Sequence, residues 1–418
     1  MESILDDSAI PAQGQPPPLS RESAAQPRPE AAAARTAILG LPWPLIASVL
    51  GSTSAIVGLL WDISWHATIG RDSFWTPAHM AVYLGGILAG LSAGWLALKT
   101  TLGGGAAERA VAVRFWGFRA PLGAWVSIWG AIAMLTSAPF DDWWHNAYGL
   151  DVKIISPPHI VLAAGILAIQ LGAILQALAL QNRSAAAATT MANRGARLLG
   201  LVYAYASGLL LVAISTLFLE YSEPNLQHGA LFYIISAAAY PLFLAAAARG
   251  ARLPWPATTV AAFYTAVRLP MTWILPLFPA TPRLAPIYNP VDHMWPLFFP
   301  VVLIVPAFVC DLVLRRAGRR GGRAGGWTLA LALGGAFLAV LLAVQWPLAD
   351  FMMTPHARNW FFAADQWTYR TRPGPWHHEF WNAGDPFTPA ALGLCLLLST
   401  LSARLGLGWG AWMARLQR

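Results

Sequence analysis

Of 418 residues, 57% are hydrophobic and only 11% charged, and the mean hydropathy is +0.51. Charge is far below the roughly 25% of soluble domains, and the apolar residues fall in blocks of about 20, the length that crosses a bilayer. The chain therefore reads as an all-α polytopic membrane protein in contact with the lipid bilayer. Its net charge of +8 marks loops on one side of the membrane rather than a nucleic-acid surface.

Residues 1–42 are rich in Pro and Ala, lack the apolar core of a signal peptide and read as a disordered cytoplasmic tail. A transmembrane helical domain, 43–418, follows. Its apolar runs fall at 43–60, 78–97, 120–138, 159–180, 198–219, 229–248, 257–278, 293–313, 327–348 and 388–408, about ten helices by length. The seventh is the least regular, because Arg268, Pro270 and Pro276 interrupt it. Connections after the even-numbered runs carry the basic residues, among them Arg109, Arg114, Arg119, Arg183, Arg249, Arg252, Arg315 and Arg316. The positive-inside rule makes that face cytoplasmic. Both termini are then inside, as in a protein of the bacterial inner (plasma) membrane.

All nine histidines fall on the opposite, outer connections. The first such corner is Trp61-Asp62-Ile63-Ser64-Trp65-His66, followed by Thr76-Pro77-Ala78-His79. The pattern returns as Asp141-Asp142-Trp143-Trp144-His145 and Ser156-Pro157-Pro158-His159. His66 and His145 are 79 residues apart, His79 and His159 are 80, so the hairpins 43–97 and 120–180 read as internal repeats. Thr76, Ser156 and Thr388 each precede a proline, the signature of a helix start.

Asp62 and His66 are four apart and share one face of a helix end. His79 opens the next helix, where the positive end of the dipole favours a neutral ring, the form that binds metal. The short connection lets Asp62, His66 and His79 converge, with Arg71 as a neighbour for the carboxylate. The duplicate set is Asp141 or Asp142 with His145 and His159. Two imidazoles and a carboxylate suit copper first, with zinc or non-haem iron as alternatives. The bland reading is an interfacial belt in which Trp61, Trp65, Trp75, Trp143 and Trp144 anchor the helix ends. Ionisable groups at membrane depth are usually functional, which favours metal for a pattern that occurs twice.

The spacing Asp62-x3-His66-x12-His79 resembles the intramembrane copper motif in the C subunit of membrane-bound methane and ammonia monooxygenases. That resemblance covers only the stretch from Asp62 to His79. It implies copper bound by these three residues close to the outer face.

The remaining polar corners carry less. His228 near Glu220 or Glu223, and His293 beside Asp292, read as helix caps. Arg268 requires a partner, with Glu220, Asp311 or an anionic ligand as candidates. The long outer loop 349–387 holds His377-His378-Glu379, and loops beyond about 15 residues are usually functional or disordered. Cys310 and Cys395 each lie in an apolar run, which excludes a disulfide framework. There is no P-loop, dinucleotide fingerprint or nucleophile elbow, which argues against ATP-driven transport and covalent hydrolysis. Three functions follow: an oxidative copper enzyme or its metal subunit, a carrier or assembly protein for a metal ion or small solute, or a structural subunit that docks other membrane subunits.

Overall fold

The computed structural model describes residues 37–38, 40–70, 72–149, 156–186, 193–283, 291–318, 323–364 and 382–418. In lipid every backbone polar group must find a partner within the protein, and a helix achieves this locally. Among the described residues, the apolar runs accordingly fold as ten principal helices. They are α1 (Trp43–Thr68), α2 (Pro77–Leu102), α3 (Leu122–Tyr148), α4 (Pro157–Ala186), α5 (Asn193–Leu217), α6 (Ala230–Gly250), α7 (Pro256–Ile274), α8 (Ile304–Ala317), α9 (Arg323–Met352) and α10 (Pro389–Met413). Among the described residues, nine helices are long and apolar enough to cross a membrane. Among the described residues, sheet is confined to two small hairpins, Ala37–Ile38 with Leu41–Pro42 and Val113–Phe115 with Phe118–Ala120. The first lies in the segment expected to be a disordered tail, the rest of which, 1–36 and 39, lies outside the described residues.

The exception is α8. Its 14 residues rise about 21 Å, short of the roughly 30 Å of a bilayer core. The expected run 293–313 becomes helical only at Ile304, and residues 294–303 form no helix. Pro296 and Pro300 lack the amide donor and push the residue before each into extended backbone. The seventh run, by contrast, continues helically through Pro270 and closes in a 3-10 turn, Leu275–Leu277, around Pro276. The interruption falls in the eighth run, not the seventh.

Lipid offers no hydrophobic drive between helices, so small residues that allow close backbone approach hold them together. A Cβ on Gly85 of α2 would stand 2.7 Å from both the Ala55 nitrogen and the Gly51 carbonyl of α1. A Cβ on Gly165 of α4 would likewise stand 2.7 Å from the Met134 nitrogen of α3. Helix α2 also lies against α3, which sets the two hairpins side by side. Buried polar side chains tie them from within. Ser48 and Ser92 hydroxyls are 3.2 Å apart, and the Gln176 amide donates to Ser48 at 3.2 Å and to Ser127 at 3.4 Å.

The helices alternate in direction. At one end of the bundle the Asn182 amide donates to the carbonyls of Met413 and Leu416. At the other, Trp295 N–H donates to the Thr68 hydroxyl and Ala230 N–H to the Asp385 carbonyl. The described histidines, His66, His79, His145, His159, His228, His293 and His356, all belong to connections at this second end.

Candidate metal centre

Helix α1 stops because the chain turns at Gly70, whose φ of +77° suits glycine. The amides of Ile69 and Gly70 both close onto the Trp65 carbonyl. Ser73 N–H then donates to the Thr76 hydroxyl at 2.9 Å, and Pro77 starts α2. This turn brings the first turn of α2 back over the last turns of α1. His79 Nε2 lies 3.1 Å from Asp62 Oδ1, and His66 Nε2 3.7 Å from Asp62 Oδ2. The three residues each present a ligand atom, and these atoms lie within 4.8 Å of one another.

A fourth residue completes the group. Asp72 Oδ2 stands 3.3 Å from His79 Nε2 and 3.5 Å from His66 Nε2. Helical spacing does not point to it, because Asp72 sits in the turn and follows no helical period. Its sign in the sequence is the duplication: Asp72 is six residues past His66, and Asp151 is six past His145. Asp151 lies outside the described residues, as does Arg71, the expected neighbour of Asp62.

The second centre repeats the first. Asp141 and His145 end α3, and His159 opens α4 after Ser156, whose hydroxyl accepts from His159 N–H at 3.4 Å. Asp141 Oδ2 is 3.4 Å from His145 Nε2, and Asp141 Oδ1 is 3.4 Å from His159 Nε2. Their ligand atoms also lie within 4.8 Å of one another. Asp142 takes no part in this group, its carboxylate accepting from the Asn146 amide at 3.3 Å. The structure thus selects Asp141 of the two neighbouring acids.

The hydrogen bonds fix the tautomers. His79 Nδ1 is 2.9 Å from the Ser73 carbonyl, which can only accept, so Nδ1 carries the proton. His145 Nδ1 stands likewise 3.2 Å from the Gly149 carbonyl. In the neutral form of either ring Nε2 would be an acceptor turned toward a carboxylate, the arrangement of a ligating histidine with its outer partner in place. Two acceptors at such distances repel unless a cation stands between them, either a second proton or a metal ion. Asp62 Oδ1 and Asp141 Oδ1 are also sealed from solvent, each facing an imidazole Nε2. Ligand atoms about 2.1 Å from a tetrahedral ion are about 3.4 Å from each other. The carboxylate–imidazole contacts of 3.1–3.7 Å and 3.4 Å match that edge.

Between the two groups lies Tyr83, one turn past His79 on α2. Its ring centroid is 6.2 Å from that of His79, and it feels the charges of Asp62, Asp72, Asp141 and Asp142.

Other expectations are corrected. His228 is no helix cap: its Nε2 is 2.9 Å from Asp350 Oδ1 of α9, and its ring meets Trp346 edge-on at 4.7 Å. His293 does not open a helix, because none begins before Ile304. It pairs with Asp292, holding that carboxyl below its usual range. Asp311 does not serve Arg268. It caps α7, accepting from the amides of Ala257 at 3.1 Å and Thr258 at 2.8 Å. Glu220 is exposed and forms no ion pair with Arg268. Helix α9 runs to Met352, so the long loop begins later than position 349, and its His377, His378 and Glu379 lie outside the described residues.

Fold and site together define a polytopic, all-α membrane protein with two His/Asp groups that could hold a metal ion. No protein family matches the chain, and no characterised protein or solved structure matches it.

Proposed function

We propose that this chain is a membrane metalloprotein that binds one ion at Asp62, His66 and His79 and a second at Asp141, His145 and His159, with copper the favoured metal. The observation that carries the reading is one carboxylate and two imidazoles whose ligand atoms lie within 4.8 Å of one another, a grouping made twice at the spacing of ligands around one ion. Imidazole and carboxylate donors suit copper, zinc and non-haem iron alike. Copper is preferred for the likeness of Asp62, His66 and His79 to the monooxygenase motif. With copper bound, the centres would supply oxidative chemistry near the outer face, where apolar substrates partition. The protein's own residues fix the ring tautomers through Ser73 and Gly149 and pair the ligands across two helix ends.

One observation favours the second reading, a carrier of metal ions. The side chains of Ser48, Ser52, Ser92, Ser127, Gln170 and Gln176 are buried within the two hairpins, so polar groups continue inward from the centres. Metal analysis of the purified protein tests the binding. Two equivalents of copper per chain support it, and a protein that takes up no divalent or cuprous ion refutes it. Uptake of copper into vesicles containing the protein alone would select the carrier over the enzyme.

A further inference from the structure

Arg268 stands in the middle of a membrane-spanning helix with only 3% of its surface exposed. Among the described residues no carboxylate comes within ion-pair reach of it. Its Nη2 donates to the Phe298 carbonyl at 3.2 Å. Its Nε and Nη1 are sealed from solvent without an acceptor. A buried cation in this state lacks both its counter-charge and two of its hydrogen bonds, and buried charges are retained where something supplies both.

The guanidinium lines a cavity of about 10 Å³ together with Ser215, Ser222, Tyr240, Tyr264 and Phe298. Ser215 and Ser222 give their protons to the carbonyls of Val212 and Phe218. The Tyr264 hydroxyl accepts a hydrogen bond from the guanidinium, and the Tyr240 hydroxyl lies within its field. One wall is the non-helical segment 294–303, through Phe298, Phe299 and Val301. Irregular backbone at membrane depth occurs where it is buried in protein or lines a cavity, and in many transport proteins such breaks build the site for an ion.

We infer that Arg268 anchors a buried site for a small inorganic anion of chloride size. The charge of the guanidinium requires an anion rather than a neutral guest. The space open to the centre of a water-sized sphere is about 10 Å³, room for one monatomic ion but not for phosphate or an organic carboxylate. Nε, Nη1 and the Tyr240 hydroxyl are the donors that such an ion would take up. The site shares no residue with the two His/Asp centres, so it stands or falls independently of them.

The test uses the full-length protein, purified in detergent with radioactive chloride and then moved into gluconate, an anion too large for the cavity. The wild type is expected to retain chloride in saturable, stoichiometric amount and to melt at a higher temperature in chloride than in gluconate at equal ionic strength. Arg268→Gln should abolish both effects. Tyr240→Phe keeps the charge and removes one donor, so it should raise the half-saturating chloride concentration about tenfold. It also serves if Arg268→Gln does not fold. Wild-type protein without saturable chloride, as when water alone fills the cavity, overturns the inference. So does undiminished retention in Arg268→Gln or unchanged half-saturation in Tyr240→Phe.

Discussion

Replacing His79 by Ala isolates the first centre. The substitution deletes the Nε2 that lies 3.1 Å from Asp62 and 3.3 Å from Asp72, and it frees the Ser73 carbonyl. Loss of an outer partner of a metal ligand costs about 10–100-fold in affinity, so loss of a ligand itself should cost at least about 100-fold. At free copper about 1,000 times the wild-type Kd, binding stabilises the wild-type centre by about 4.1 kcal/mol. A site weakened about 100-fold keeps only about 1.4 kcal/mol under the same conditions. The assay is equilibrium dialysis followed by metal analysis, with thermal unfolding in parallel. In dialysis against free copper about 10 times the wild-type Kd, bound copper should fall from nearly two equivalents to about one, and at the higher concentration most of the copper-dependent rise in melting temperature contributed by this centre should disappear. The helices should still insert, because one imidazole at a helix start contributes little to the transfer of an entire apolar run. If the variant keeps two equivalents, or the wild type binds none, the ligand assignment is wrong and the corner is an aromatic belt with polar anchors.

Three further outcomes are expected. Asp72→Asn should weaken copper at the first centre by about 10–100-fold while the second, at Asp141, His145 and His159, stays loaded; equal losses at both would deny Asp72 its place. If both termini are cytoplasmic, a cysteine at position 143 should react with an impermeant reagent in intact cells, and one at position 317 only after lysis. The reverse pattern would put the His/Asp centres on the cytoplasmic face. Gly85→Ala places a methyl group 2.7 Å from the backbone of α1, so the hairpin must open and thermal stability should drop by about 1–3 kcal/mol. An unchanged melting curve would show that the α1–α2 contact is looser than its geometry requires.

Much of this molecule is written in local patterns. Lipid leaves an apolar run of about 20 residues little choice but a helix, so nearly all the spans follow from hydropathy. Asp62 with His66, and Asp141 with His145, share a face through the helical repeat alone, and Thr76-Pro77 and Ser156-Pro157 start the helices that carry His79 and His159. A triad built from two helix ends and one tight turn is therefore legible in the amino-acid sequence. The path of the chain between elements is not. Asp72 joins the first centre because the turn at Gly70 points it there, a consequence of loop geometry that no periodicity encodes. Asp141 rather than Asp142 faces the histidines because α4 lies on that side of α3.

Partners distant in sequence were decided by packing. His228 meets Asp350, and Asp311 caps α7, through contacts between helices that composition cannot pair. The eighth run was misleading because hydropathy counts Pro296 and Pro300 by their polarity and not by their missing amide donors. Their effect, an unwound segment laid against Arg268, exists only where α5, α6 and α7 close around it. Hydropathy and period thus determined which residues enter the membrane and which share a helix face. Turn geometry and interhelical packing, which join residues through space rather than along the chain, determined which of them meet.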